Sequence, residues 1–152
     1  MIRIIILALL ISAACSCRTA PKKIIGIKIY DYSGDYSALA STWESMGINT
    51  AFISEKLAAD GAFRKEMAKR GMSVCIIFPV FNNEEALRDD STLYAITDSG
   101  RRASQEWVRF VCPSRKTYRK YLNEEMTSIV SELKPEDVSI DFIRQFVYWE
   151  KI

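Results

Sequence analysis

The chain has 152 residues, 21 Lys and Arg against 19 Asp and Glu, and no His, for a formal charge of +2. That is one domain's length, and a hydrophobic share of 49% beside 26% charged residues excludes disorder for its bulk. Without His there can be no Ser-His-Asp or Cys-His nucleophile and no zinc site built on imidazole. The near-balanced charge argues against a nucleic-acid surface.

The first residues are not expected to belong to the fold. Arg3 precedes an uncharged run from Ile4 to Ala14, far shorter than the ~20 residues of a membrane-spanning helix. A basic tip, a short apolar stretch and small residues (Ser12, Ala13, Ala14) are the marks of a secretory signal. They lead into Cys15-Ser16-Cys17, which resembles a bacterial lipoprotein signal whose first mature residue is a lipidated Cys. Cys17 is the slightly favoured position and Cys15 the other. The expected division is a signal over residues 1–16, a tether over 17–23 and one domain over 24–152. Localisation would then be a bacterial envelope membrane, reached through the lipid.

Ile24 to Tyr30 is a short β-branched run that predicts strand one, ending at Asp31. Leu39, Trp43 and Met46 recur at helical spacing, with Gly47 as the stop. Thr50 to Ser54 predicts strand two, ending at Glu55. Asp60 suits the cap of a helix that places Phe63 and Met67 on one face and stops at Gly71. Ser73 to Phe78 predicts strand three. Cys75 within it reads as a small buried hydrophobe more readily than as a disulfide partner of Cys112.

From Asn83 to Cys112 the periodicity lapses, apart from a short helix expected at Glu84–Leu87. An insertion here lies on the carboxyl side of the sheet, where parallel α/β folds bind ligands; a solvated excursion is the equal alternative. Pro113 suits the start of a long helix with Tyr118, Leu122, Met126, Ile129 and Leu133 on one face. Val138 to Ile140 predicts strand four, delivering Asp141, and an aromatic tail holds Phe142, Phe146, Tyr148 and Trp149. Strand starts separated by roughly one strand plus one crossover helix predict a parallel sheet in the order 1-2-3-4, with right-handed connections.

The run from Val111 to Phe146, with Asp141-Phe142-Ile143-Arg144 as its most specific element, resembles glycosyl-hydrolase-like (β/α)8 barrels. "GIKIYDYSGDY", "MGINTAFIS" and "RGMSVCIIFPVFN" resemble strands one to three of the same barrels. The resemblance implies an α/β fold, the amino-terminal half of a (β/α)8 TIM barrel, with four parallel strands and crossover helices. It implies a carbohydrate ligand at the carboxyl ends of the strands, with Asp141 as a catalytic carboxylate. Arg144, Asp31, Glu55, Tyr30 and Trp149 would contact the substrate.

A complete barrel takes ~250 residues, and the family's strands five to eight, with the second carboxylate that glycoside cleavage needs, would follow Ile152. The readings are therefore an incomplete catalytic domain that works with a complementary half barrel, a lipid-anchored glycan-binding module, or an inactive remnant. On orientation, Ser139 and Asp141 are expected to face the barrel interior, with Val138 and Ile140 outward. On strand one, Ile25, Ile27, Ile29 and Asp31 are expected inward, leaving Lys28 and Tyr30 outward. No Walker sequence, Gly-x-Gly-x-x-Gly or metal-ligand cluster occurs, so neither cofactor nor metal is expected.

Overall fold

A computed structural model of the chain describes residues 23–104 and 108–143. The expectations at Cys15, Cys17, Arg144, Phe146, Tyr148 and Trp149 lie outside the described residues. Four strands form one parallel sheet in the order β1 (Gly26–Ile29), β2 (Thr50–Ile53), β3 (Ser73–Pro79) and β4 (Asp137–Asp141). Between them run α1 (Tyr36–Ser45), α2 (Glu55–Ala59), α3 (Gly61–Lys69), α4 (Glu84–Asp89) and α5 (Lys116–Leu133). The strand order is that of consecutive strands in a (β/α)8 barrel.

Local chemistry explains the boundaries. The Asp35 carboxylate accepts the Ser37 and Ala38 N–H groups to start α1, and Asp60 does the same for Ala62 and Phe63 at α3. Gly47 and Gly71 reverse the chain at positive φ (75° and 63°), which an L side chain resists. Two details differ from expectation. Ser54 caps a separate short helix, α2, accepting Leu57 N–H, so Glu55 opens a helix instead of merely ending a strand. The long helix begins at Lys116, because residues 113–115 form a turn in which Arg115 N–H donates to Cys112 O at 3.1 Å.

One face of the sheet carries the helices. Ile27 and Ile29 of β1, Ala51 and Ile53 of β2, Ile76 and Phe78 of β3 and Val138 of β4 all enter the main apolar core. There they meet Ala40 and Trp43 of α1, Leu57 of α2, Phe63 and Met67 of α3, and Leu122 and Ile129 of α5. Phe63 is fully buried, with the Tyr36 ring edge-on at 5.4 Å and the Trp43 ring at 6.4 Å. Val138 faces outward as expected. The isoleucines of β1 also face the helices, not the barrel interior, which corrects the expected orientation of that strand. The apolar demand of the helix layer exceeds that of the interior, so the β-branched set goes outward and Lys28 is left on the concave side. Cys75 is buried and unpaired, and Cys112 is half-buried and unpaired.

The insertion after β3 is folded, not a loose excursion. Val80 and Phe81 run on beside β4, donating to the carbonyls of Asp141 (2.9 Å) and Phe142 (3.2 Å). Val111 then donates to Phe81 O, Cys112 to Leu93 O and Ala95 to Phe110 O. A second apolar cluster results, in which Ala103, Val108 and Phe110 are buried with Ala95 and Phe142 against them.

Candidate functional site at the carboxyl ends of the strands

Register defines the concave face. Lys28 is level with Phe52, Phe52 with Cys75, and Ile77 with Ser139, so Lys28, Phe52, Cys75, Ile77, Ser139 and Asp141 share it. The sheet curls far enough for its two outermost strands to touch across this face. Lys28 Nζ of β1 donates to Asp141 Oδ2 of β4 at 2.5 Å, and the Tyr30 hydroxyl donates to the same oxygen at 3.2 Å. The other oxygen, Oδ1, accepts Phe142 N–H at 2.8 Å.

Asp141 thus receives three donors. Partial burial pushes its carboxyl up, but the Lys28 hydrogen bond, the Phe142 N–H, the Lys28 charge and the Tyr30 hydroxyl outweigh this and hold it below the usual carboxylate range. Its partner moves the opposite way: the hydrogen bonds to Asp141 and Tyr30 outweigh desolvation and raise the Lys28 ammonium. At neutral pH the pair is a carboxylate and an ammonium. Phe142 takes a left-handed conformation (φ 52°), which costs a non-glycine residue about 1–2 kcal/mol. Its ring is held by the cluster of the insertion, so the insertion fixes the backbone that aims Asp141.

A cavity of about 680 Å³ opens here, walled by Lys28, Tyr30, Asn82, Asp141, Phe142 and Ile143. Asn82 is fastened by its Oδ1, which accepts Arg109 N–H at 3.2 Å. A second cavity of about 420 Å³ adjoins it, sharing Tyr30, Pro79 and Asn82 and reaching Glu55, Tyr121 and Glu125. Burial first, then repulsion from Glu125 and Glu132, raises the Glu55 carboxyl.

Among the residues expected from sequence, Asp141, Tyr30 and Glu55 therefore lie on this connected mouth. Asp31 does not join them: it is exposed and paired with Lys56 at 3.3 Å, on the other side of the strand end from Tyr30. Lys28, Asn82 and Phe142 were missed. The signal for Lys28 was present, since Gly26, Lys28 and Tyr30 alternate with Ile25, Ile27 and Ile29, and a polar alternate belongs opposite the helix-covered face. Among the described residues no cluster of His, Cys, Asp and Glu is arranged to hold a metal, and no helix is long and apolar enough to cross a membrane.

No protein-family model and no curated protein matches the sequence. Solved structures do match in fold. A maltogenic α-amylase from Thermotoga neapolitana superposes with a TM-score of 0.53 at 14% identity, over 77% of this chain and 38% of its own. The α-amylase of Geobacillus thermoleovorans, solved in complex with acarbose, gives 0.57 at 12%, over 83% of this chain and 42% of its own. A hypothetical protein from Ruminiclostridium thermocellum gives 0.61 at 14%, over 78% and 77%. The chain thus spans about two fifths of the length of either amylase. At these identities the likeness is one of fold: four parallel strands and their crossover helices arranged as in part of a (β/α) barrel.

Proposed function

We propose that the chain is a carbohydrate-active, glycoside hydrolase-like domain whose ligand sits over Asp141. The observation that carries this reading is the Asp141 carboxylate. It stands at the carboxyl end of β4, is held ionised by Lys28, Tyr30 and the Phe142 N–H, and opens on a cavity of ligand size. A carboxylate kept anionic suits the nucleophile or base of a glycosidase and not its acid, because the acid must carry a proton near neutral pH. Tyr30 and Phe142 supply flat apolar surface for a sugar ring, and Asn82 a polar edge.

Cleavage needs a second carboxyl group a few ångströms from the first. Among the described residues Asp141 is the one carboxylate lining its cavity. Hydrolysis therefore requires a partner carboxyl from outside this cavity, whether Glu55 of the adjoining one, further strands or a complementary half barrel. That same observation favours a second reading, a glycan-binding module that holds saccharide without cleaving it.

The test is binding of acarbose and maltohexaose by calorimetry, and hydrolysis of aryl glycosides, for the full chain and for Asp141→Asn. Binding weakened by the substitution supports the assignment. Robust hydrolysis that survives Asp141→Asn places the chemistry elsewhere. We further propose that the protein is anchored to a bacterial envelope membrane through lipid on Cys17 or Cys15. Mass spectrometry of the mature amino terminus checks this, and an intact Met1 or an unlipidated terminus ends it.

A further inference from the structure

We infer that the ligand is a neutral oligosaccharide, not a single sugar, and that Tyr121 forms a remote platform for it at the far end of the cleft; this rests on the carbohydrate reading above. Three observations combine. The cavity over Asp141 is not isolated: Tyr30, Pro79 and Asn82 also wall the second cavity, so the two adjoin along these three residues as the two parts of a trough. Each part is of a size that holds a small ligand by itself. A monosaccharide seated at Asp141 would leave the second part empty.

The trough has an exposed tyrosine ring in each part. Tyr30 is 50% exposed and Tyr121 is 43% exposed. Both are held in place. The Tyr30 ring is tied by its hydroxyl, which donates to Asp141 Oδ2 at 3.2 Å. The Tyr121 ring leans on Tyr118 at 5.8 Å, and Tyr118 is itself buried, with its hydroxyl donating to Val80 O at 2.9 Å. A rigid flat apolar ring costs little conformational entropy when it binds a sugar face.

Charge narrows the class. In the first cavity Lys28 and Asp141 neutralise one another. The second is walled by Glu55, Glu84, Glu85 and Glu125, with no Lys or Arg among its described lining residues. Carboxylates accept hydroxyl hydrogen bonds well, but they repel uronic-acid or sulfated sugars. The Glu55 carboxyl is raised first by burial and then by the negative charge of Glu125 and Glu132, so part of that shift is the same crowding of charge.

The experiment is calorimetric titration of the full chain with maltose, maltohexaose, cellobiose, cellohexaose and hexagalacturonate. It is repeated for Tyr121→Ala and Tyr121→Phe, with urea unfolding of each as the control for folding. At least about a tenfold gain in affinity is expected from disaccharide to hexasaccharide in one neutral series. Tyr121→Ala should remove that gain while leaving the disaccharide affinity unchanged. Tyr121→Phe should keep it, and hexagalacturonate should bind at least about tenfold more weakly than the better neutral hexamer. Disaccharide and hexasaccharide binding equally well overturns the inference and leaves the carbohydrate reading standing. So does a Tyr121→Ala loss that is equal for both lengths. Preferred binding of hexagalacturonate overturns the neutral assignment, and no binding of any saccharide overturns both readings.

Discussion

Breaking the Lys28–Asp141 contact should weaken the fold by a small, pH-dependent amount. The two charges meet at 2.5 Å, but their side chains are 50% and 30% exposed. At this separation Coulomb attraction is about 1.7 kcal/mol in water and about 7 kcal/mol at the effective dielectric of a protein surface. Solvent screening and the cost of ordering a lysine side chain pull the net toward the ~0.2–1 kcal/mol of exposed pairs. A coupling of about 1 kcal/mol is therefore expected from a double-mutant cycle of Lys28→Met and Asp141→Asn by urea unfolding at pH 7.

The Asp141 carboxyl is lowered from 3.8 on folding, so its share of the stability is present above that value and is lost as pH falls through the folded one. The Lys28 ammonium is raised from 10.5, so its share is complete below that value and is lost as pH rises through the folded one. The coupling should form a plateau between about pH 4 and about pH 10 and decline on both flanks, and salt should reduce it. A coupling of zero at pH 7, or one that does not shrink between about pH 5 and about pH 2, would refute the reasoning.

Asp60→Ala removes the cap of α3 and the acceptor of the Tyr36 hydroxyl (2.8 Å), and should cost about 1–2 kcal/mol in urea unfolding. Leu122→Ala, on the buried face of α5, should cost about 2–5 kcal/mol; a loss under about 0.5 kcal/mol would mean that helix is not seated on the sheet. Gly26→Ala would drive a methyl group into the Phe52 ring on the concave face, with a cost of about 1–3 kcal/mol read from the same unfolding curves.

Strands and core helices were legible because their periodicity and their stops coincide. Trp43 with Gly47, and Met67 with Gly71, each pair an apolar face with the residue that ends it. The face on which Asp141 stands was legible for a similar reason, since Val138 and Ile140 alternate with Ser139 and Asp141. The face of β1 was legible only in the alternation of Lys28 with its isoleucines, which by themselves could fill either a barrel interior or a helix layer. The partner that Lys28 meets on β4 lies more than a hundred residues away in sequence, where no local pattern shows it. The insertion was opaque because its order comes from isolated backbone bridges, such as Tyr94 with Val111 and Ile96 with Arg102, and not from a repeating apolar pattern. The role of Phe142 was hidden in the same way: its backbone conformation is imposed by that insertion.

Each strand of this sheet pairs with the one before it in the chain, and that bears on how the molecule assembles. Ile27 meets Ala51 and Ala51 meets Val74, each across about two dozen residues. Ile76 meets Val138 across the whole insertion, a loop longer by more than twofold that adds only about 1 kcal/mol of closure entropy. A nascent chain can therefore dock β1, α1, β2 and β3 in the order in which a ribosome releases them, with no strand waiting for a distant one. The last event is the arrival of β4. It brings Asp141 to Lys28, so the mouth of the sheet is completed only when the end of the described chain has reached its beginning.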